Sequence, residues 1–90
     1  FEIYKKIYKY KCNIDVFDPL ADKNNVFDEF AIKLINFPKK NYYDAVIIAV
    51  AHKYFIKMSL KKIKHFTKKN SYIFDLKNIF KNKLKYLEIN

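Results

Sequence analysis

Ninety residues accommodate one small domain, because a strand–helix–strand unit alone takes about 30 residues. An apolar fraction of 51% with 19% aromatic residues excludes an intrinsically disordered chain. The formal charge of +10 comes from 19 lysines and no arginine, so the planar fork favoured for specific recognition of phosphates and guanines is missing, and the lysines, spread along the chain, read as a solvated surface rather than a nucleic-acid face.

Glycine is absent, which removes any Gly-rich phosphate loop. A single cysteine, Cys12, excludes an internal disulfide and fits a reducing cytoplasm. No Cys or His pair has metal-ligand spacing, so no metal site is expected. No apolar run is long enough to span a bilayer, and no membrane partner is expected.

In chain order, Ile3, Tyr4, Ile7 and Tyr8 recur at helical spacing and predict an amphipathic helix over Phe1 to Lys11, closed by Asn13 in the left-handed conformation. Nothing caps its start. Ile14 to Phe17 reads as a short strand, stopped by Asp18 and Pro19 because proline cannot donate to a ladder. Asp22 caps a second helix with Val26, Phe27, Phe30 and Ala31 facing inward, Ile32 to Ile35 forms a short edge strand, and Pro38 to Asn41 is a polar loop.

The apolar run Ala45 to Ala51, rich in Val and Ile, predicts a strand buried on both faces, the mark of a parallel sheet covered by helices. His52 stands at its end. Lys53 to Met58 reads as one helical turn, Ser59 caps a helix through Lys69 with Leu60, Ile63 and Phe66 facing the sheet, and Asn70 closes it. Tyr72 to Asp75 makes the next strand, Ile79 and Phe80 a turn, and Lys85 to Ile89 an outer strand. All of residues 1–90 read as one domain. A crossover connection needs a strand before the first helix, and in a doubly wound sheet that strand lies centrally, so a first strand is expected upstream of Phe1.

Asp18, His52 and Asp75 with Lys77 close three of these strands. In a parallel sheet they line the carboxyl edge, where open α/β sheets bind ligands and helix amino ends point their amides. That edge suits a phosphorylated or nucleotide ligand, with Lys77 supplying charge. Each residue also has a plainer role: Asp18 ordering the turn through Pro19, His52 capping the next turn or meeting a backbone partner, Asp75 capping the turn from Leu76, and Lys77 remaining solvated. His52 has no partner at triad or metal spacing, and Cys12 has no adjacent base.

Three blocks, VFDP at Val16 to Pro19, YDAVIIAVAHKYF at Tyr43 to Phe55 and YIFDLKNIF at Tyr72 to Phe80, resemble in order and spacing the carboxyl-terminal, UDP-binding domain of the UDP-glucose/GDP-mannose dehydrogenase family. The AVAHKYF form is most similar to the subgroup that oxidises UDP-N-acetylhexosamines. The resemblance implies an α/β, Rossmann-like three-layer parallel sheet lacking its first strand, within a multidomain, homodimeric enzyme that oxidises a nucleotide sugar's 6-hydroxyl to a carboxylate. It further implies that NAD is bound by an amino-terminal domain absent from this chain, that no cofactor is held here, and that the catalytic residues lie elsewhere, leaving this chain inactive alone. Its partners are then a UDP-sugar and the remainder of the same enzyme. Lys77 matches the basic position that reaches the nucleotide, and with Asp75 of the same strand-end block it is the expected UDP-binding pair, while His52 and Asp18 are expected to line the crevice. The alternative class is a small basic α/β module that binds nucleic acid or a protein partner; scattered charge and the three matched blocks argue against it.

Overall fold

The computed structural model describes residues 1–81, so the outer strand expected over Lys85 to Ile89 lies outside the described residues. The chain divides into two compact units, one ending at Pro38 and one beginning at Lys39. In element order they contribute helices α1 (Glu2–Tyr8) and α2 (Lys23–Phe30), then strand β1 (Tyr43–Ile48), helix α3 (Lys53–Lys64) and strand β2 (Thr67–Asp75).

In the first unit the amphipathic segment forms α1, but it stops at Tyr8, and Lys11, with φ 57°, takes the left-handed position expected of Asn13. The turn closes first, through the amides of Tyr10 on Ile7 and Lys11 on Tyr8, so position rather than residue type decides which side chain bears the strain. Asp22 caps α2 as expected, its carboxylate accepting from the amides of Asn24 at 2.9 Å and Asn25 at 3.1 Å. The expected inward face does not form: α2 buries none of its residues, Phe27 is 54% exposed, and Ala31 leaves the helix as a left-handed cap with φ 57°.

The strands expected at Ile14 to Phe17 and Ile32 to Ile35 shrink to one parallel bridge between Val16 and Leu34, with the Ile35 amide donating to the Val16 carbonyl at 2.9 Å. Pro19 ends one side and the left-handed Ala31 delays the other, leaving too few residues for a ladder. Ile32 and Leu34 are nonetheless buried, and α2 still connects two parallel-paired segments.

The second unit is a strand–helix–strand crossover. β1 and β2 pair in parallel, with Val46 opposite Ile73 and Ile48 opposite Asp75, which confirms the parallel α/β sheet. β1 ends at Ile48 rather than Ala51, so Ala49 to Ala51 form the connection to α3 and His52 starts the helix instead of closing the strand. α3 is kinked at Ser59 (φ 75°, ψ 153°), whose Oγ accepts from the Lys62 amide at 3.4 Å; one turn and then a capped helix is thus the observed arrangement. That helix ends at Lys64 and not Lys69, because the Phe66 amide turns back to Ile63 and the Thr67 hydroxyl donates to the Lys64 carbonyl at 2.7 Å. Asn70, expected to close that helix, is instead left-handed (φ 62°) inside a bulge of β2 between the pairs Tyr43–Thr67 and Ala45–Tyr72.

Ile48, Ile63, Phe66, Ile73 and Phe80 form the core of this unit, with Ile73 wholly buried. Among the described residues one face of the sheet belongs to that core. Ile47, Tyr72 and Phe74 alternate onto the other face and are exposed, so the strand expected to be buried on both faces is buried on one.

Candidate functional site

Parallel pairing brings the carboxyl ends of β1 and β2 to the same edge, and the Leu76 amide donates to the Ile48 carbonyl at 3.0 Å. Because α3 crosses over between them, its first residue follows directly from that edge. His52, the α3 start, Asp75 and Lys77 therefore share one edge of the second unit. Asp18 belongs to the first unit.

Asp75 is a structural keystone of this edge. Its Oδ1 accepts from the Ile79 amide and its Oδ2 from the Phe80 amide, both at 3.0 Å, while its carbonyl accepts from the Asn78 amide at 3.2 Å. The chain from Leu76 to Phe80 thus wraps around one carboxylate, and buried Phe80 pins its far end in the core. With both oxygens engaged, Asp75 orders the loop. Lys77 sits on that loop, exposed, between two fixed ends. A cation on a preorganised loop can meet a phosphate without the entropy of ordering the loop itself.

His52 occupies the N-cap of α3 with no side-chain capping bond; its carbonyl accepts from the Phe55 and Ile56 amides, and its ring lies 6.3 Å from that of Phe55. It is half-buried at that edge. Asp18 accepts the Leu20 amide at 3.0 Å across Pro19, the turn-ordering role that was the plainer reading. Among the described residues no group of three or more His, Cys, Asp and Glu is placed to hold a metal ion.

The family model for the UDP-glucose/GDP-mannose dehydrogenase family, UDP binding domain, matches residues 1–82. The chain belongs to this family. It is 36% identical over 78 residues to the UDP-N-acetyl-D-glucosamine 6-dehydrogenase of Salmonella typhi, covering 87% of this chain and 18% of that protein. To the protein of the same name from Pseudomonas aeruginosa it is 32% identical over 76 residues, covering 84% of this chain and again 18% of the relative. The chain thus spans less than a fifth of the length of the curated relatives it matches. No solved structure matches it significantly.

One feature escaped the sequence reading. Up to Pro38 six lysines are balanced by six carboxylates, whereas from Lys39 onward thirteen lysines meet three. Counting charge in each half would have shown it; reading the lysines as evenly spread hid it.

Proposed function

We propose that this chain holds the UDP part of a UDP-sugar, with Lys77 contacting the diphosphate from the loop that Asp75 orders and His52 lining the crevice. The observation that carries this is the family match over residues 1–82 together with an exposed lysine on a pinned loop at the sheet's carboxyl edge. The same reading makes the chain one domain over residues 1–90 of a longer, homodimeric, cytoplasmic enzyme that oxidises the 6-hydroxyl of a UDP-N-acetylhexosamine to a carboxylate. The names of the two relatives support that substrate class.

The oxidant of that reaction would be NAD, and this chain's residues do not fit it. A dinucleotide's pyrophosphate needs close approach to a strand-to-helix turn, which glycines permit. Here the β1–α3 connection is Ala49, Val50, Ala51 and His52, with a Cβ at every position and no glycine. The catalytic and NAD-binding groups are accordingly assigned outside this chain, and the chain alone is expected to be inactive.

Calorimetric titration of UDP into the full-length protein carrying this chain tests the assignment. Loss of a charge-assisted hydrogen bond costs about 1.5–3 kcal/mol, so Lys77→Ala is expected to weaken binding roughly 10- to 100-fold with the melting temperature unchanged. Equal affinities would remove Lys77 from the site, and absence of UDP binding by the wild type would remove the reading itself.

A further inference from the structure

The fold gathers much of the second unit's charge at one place. The Asn41 amide donates to the His65 carbonyl at 2.7 Å and the Tyr42 amide to the Phe66 carbonyl at 2.9 Å, which lays the approach to β1 beside the exit from α3. Lys39 and Lys40, far apart in sequence from Lys61, Lys62 and Lys64 in the last turn of α3, are therefore brought to the same amino edge of the sheet. The bulge of β2 adds exposed Lys68 and Lys69. The unit's carboxylates among the described residues are Asp44, paired with Lys68 at 3.2 Å, and Asp75, which lies at the opposite edge.

We propose that this seven-lysine edge is a docking surface for an anionic lipid bilayer. Lysine is strongly hydrated and depleted from the cores of protein interfaces, so the edge is poorly suited to a buried protein contact. Nucleic acid is the weaker fit, since the chain has no arginine, the exposed Tyr42 ring has the Lys39 ammonium 4.3 Å from its centre, where a base would stack, and the exposed rings of Tyr72 and Phe74 lie on the face of the sheet rather than among these lysines. A bilayer needs neither group. It needs cations at one end of a layered unit, and these come from both strands' amino ends and the carboxyl end of the helix between them. No helix among the described residues is long and apolar enough to cross a membrane, so the contact is peripheral. It also leaves the Lys77 edge, at the other end of the strands, open to solvent.

Each lysine near an anionic leaflet is worth about fivefold in partitioning, so four engaged lysines supply several hundredfold, reversibly and with strong salt dependence. The test is co-sedimentation of the full-length protein with phosphatidylglycerol–phosphatidylcholine vesicles, with pure phosphatidylcholine vesicles and with arbitrary duplex and single-stranded DNA as comparisons. The expected result is binding to the anionic vesicles alone, lost at high salt and in Lys40→Gln/Lys61→Gln/Lys68→Gln/Lys69→Gln, but kept in Lys5→Gln/Lys6→Gln/Lys9→Gln/Lys11→Gln, which removes equal charge from the first unit. Should the first variant not fold, Lys68→Gln/Lys69→Gln on the exposed bulge serves in its place. UDP affinity is expected to be unchanged in every variant. Equal loss in both quadruple variants, binding to neutral vesicles, or DNA binding tighter than vesicle binding would overturn the proposal.

Discussion

The two units contrast in how they are held together and in what they carry. Up to Pro38 the chain is electrically balanced, its α2 buries no residue, and among the described residues its strand pairing is the Val16–Leu34 bridge. From Lys39 on, β1, α3 and β2 enclose a contiguous apolar cluster, and all of the net charge lies in that part of the chain. The contrast shows how a domain with no glycine divides its tasks. Burial of Ile63 and Ile73 gives the second unit a frame that carries a dense shell of lysines and the ordered loop bearing Lys77. In the first unit, side-chain capping at Asp18 and Asp22 does more of the local ordering.

The largest effect is expected in the core of the second unit. Ile73→Ala removes a wholly buried side chain and should cost about 2–5 kcal/mol, read as lost hydrogen-exchange protection across β1 and β2. Phe27→Ala on α2, by comparison, should cost no more than about 1 kcal/mol in thermal unfolding; equal costs would erase the contrast. Next comes Asp75→Ala, which deprives the amides of Ile79 and Phe80 of their acceptor. About 2–3 kcal/mol of stability should go, together with UDP affinity, since the loop that presents Lys77 loses its anchor.

The smaller effects fall in the first unit. Asp22→Ala removes the α2 cap and should cost about 1 kcal/mol by denaturant unfolding, and Asp22→Asn should recover most of it. Ala31→Gly should stabilise by up to about 1 kcal/mol, because a Cβ at φ 57° is strained and glycine is not, offset in part by the freer unfolded chain. A destabilised Ala31→Gly would show that α2 does not end in that conformation.

Local chemistry was the legible part of this fold. The cap at Asp22, the turn at Asp18, the restart of the helix at Ser59 and the carboxylate turn after Asp75 all operate within about five residues, so the residue types at those spacings specify them. The boundaries read less well. Nothing in the KKIKHFTKK stretch tells a helix from a strand until Ile63 and Phe66 are both packed in the core and Thr67 begins pairing with Tyr43. For the same reason Asn70, expected to close the helix, lies instead within β2.

By itself, then, the sequence determined an α/β chain with a parallel strand in the Ala45 to Ala51 run, a strand end at Asp75 with a turn after it, and the family to which the blocks belong. Tertiary structure alone decided that His52 starts a helix rather than ending a strand, that Ile47 and Phe74 stay exposed, and that lysines from three separate stretches converge on one edge. Periodicity and capping report on neighbours along the chain. Which edge a lysine occupies depends on strand pairing between residues some 25 positions apart, and that is set by long-range packing.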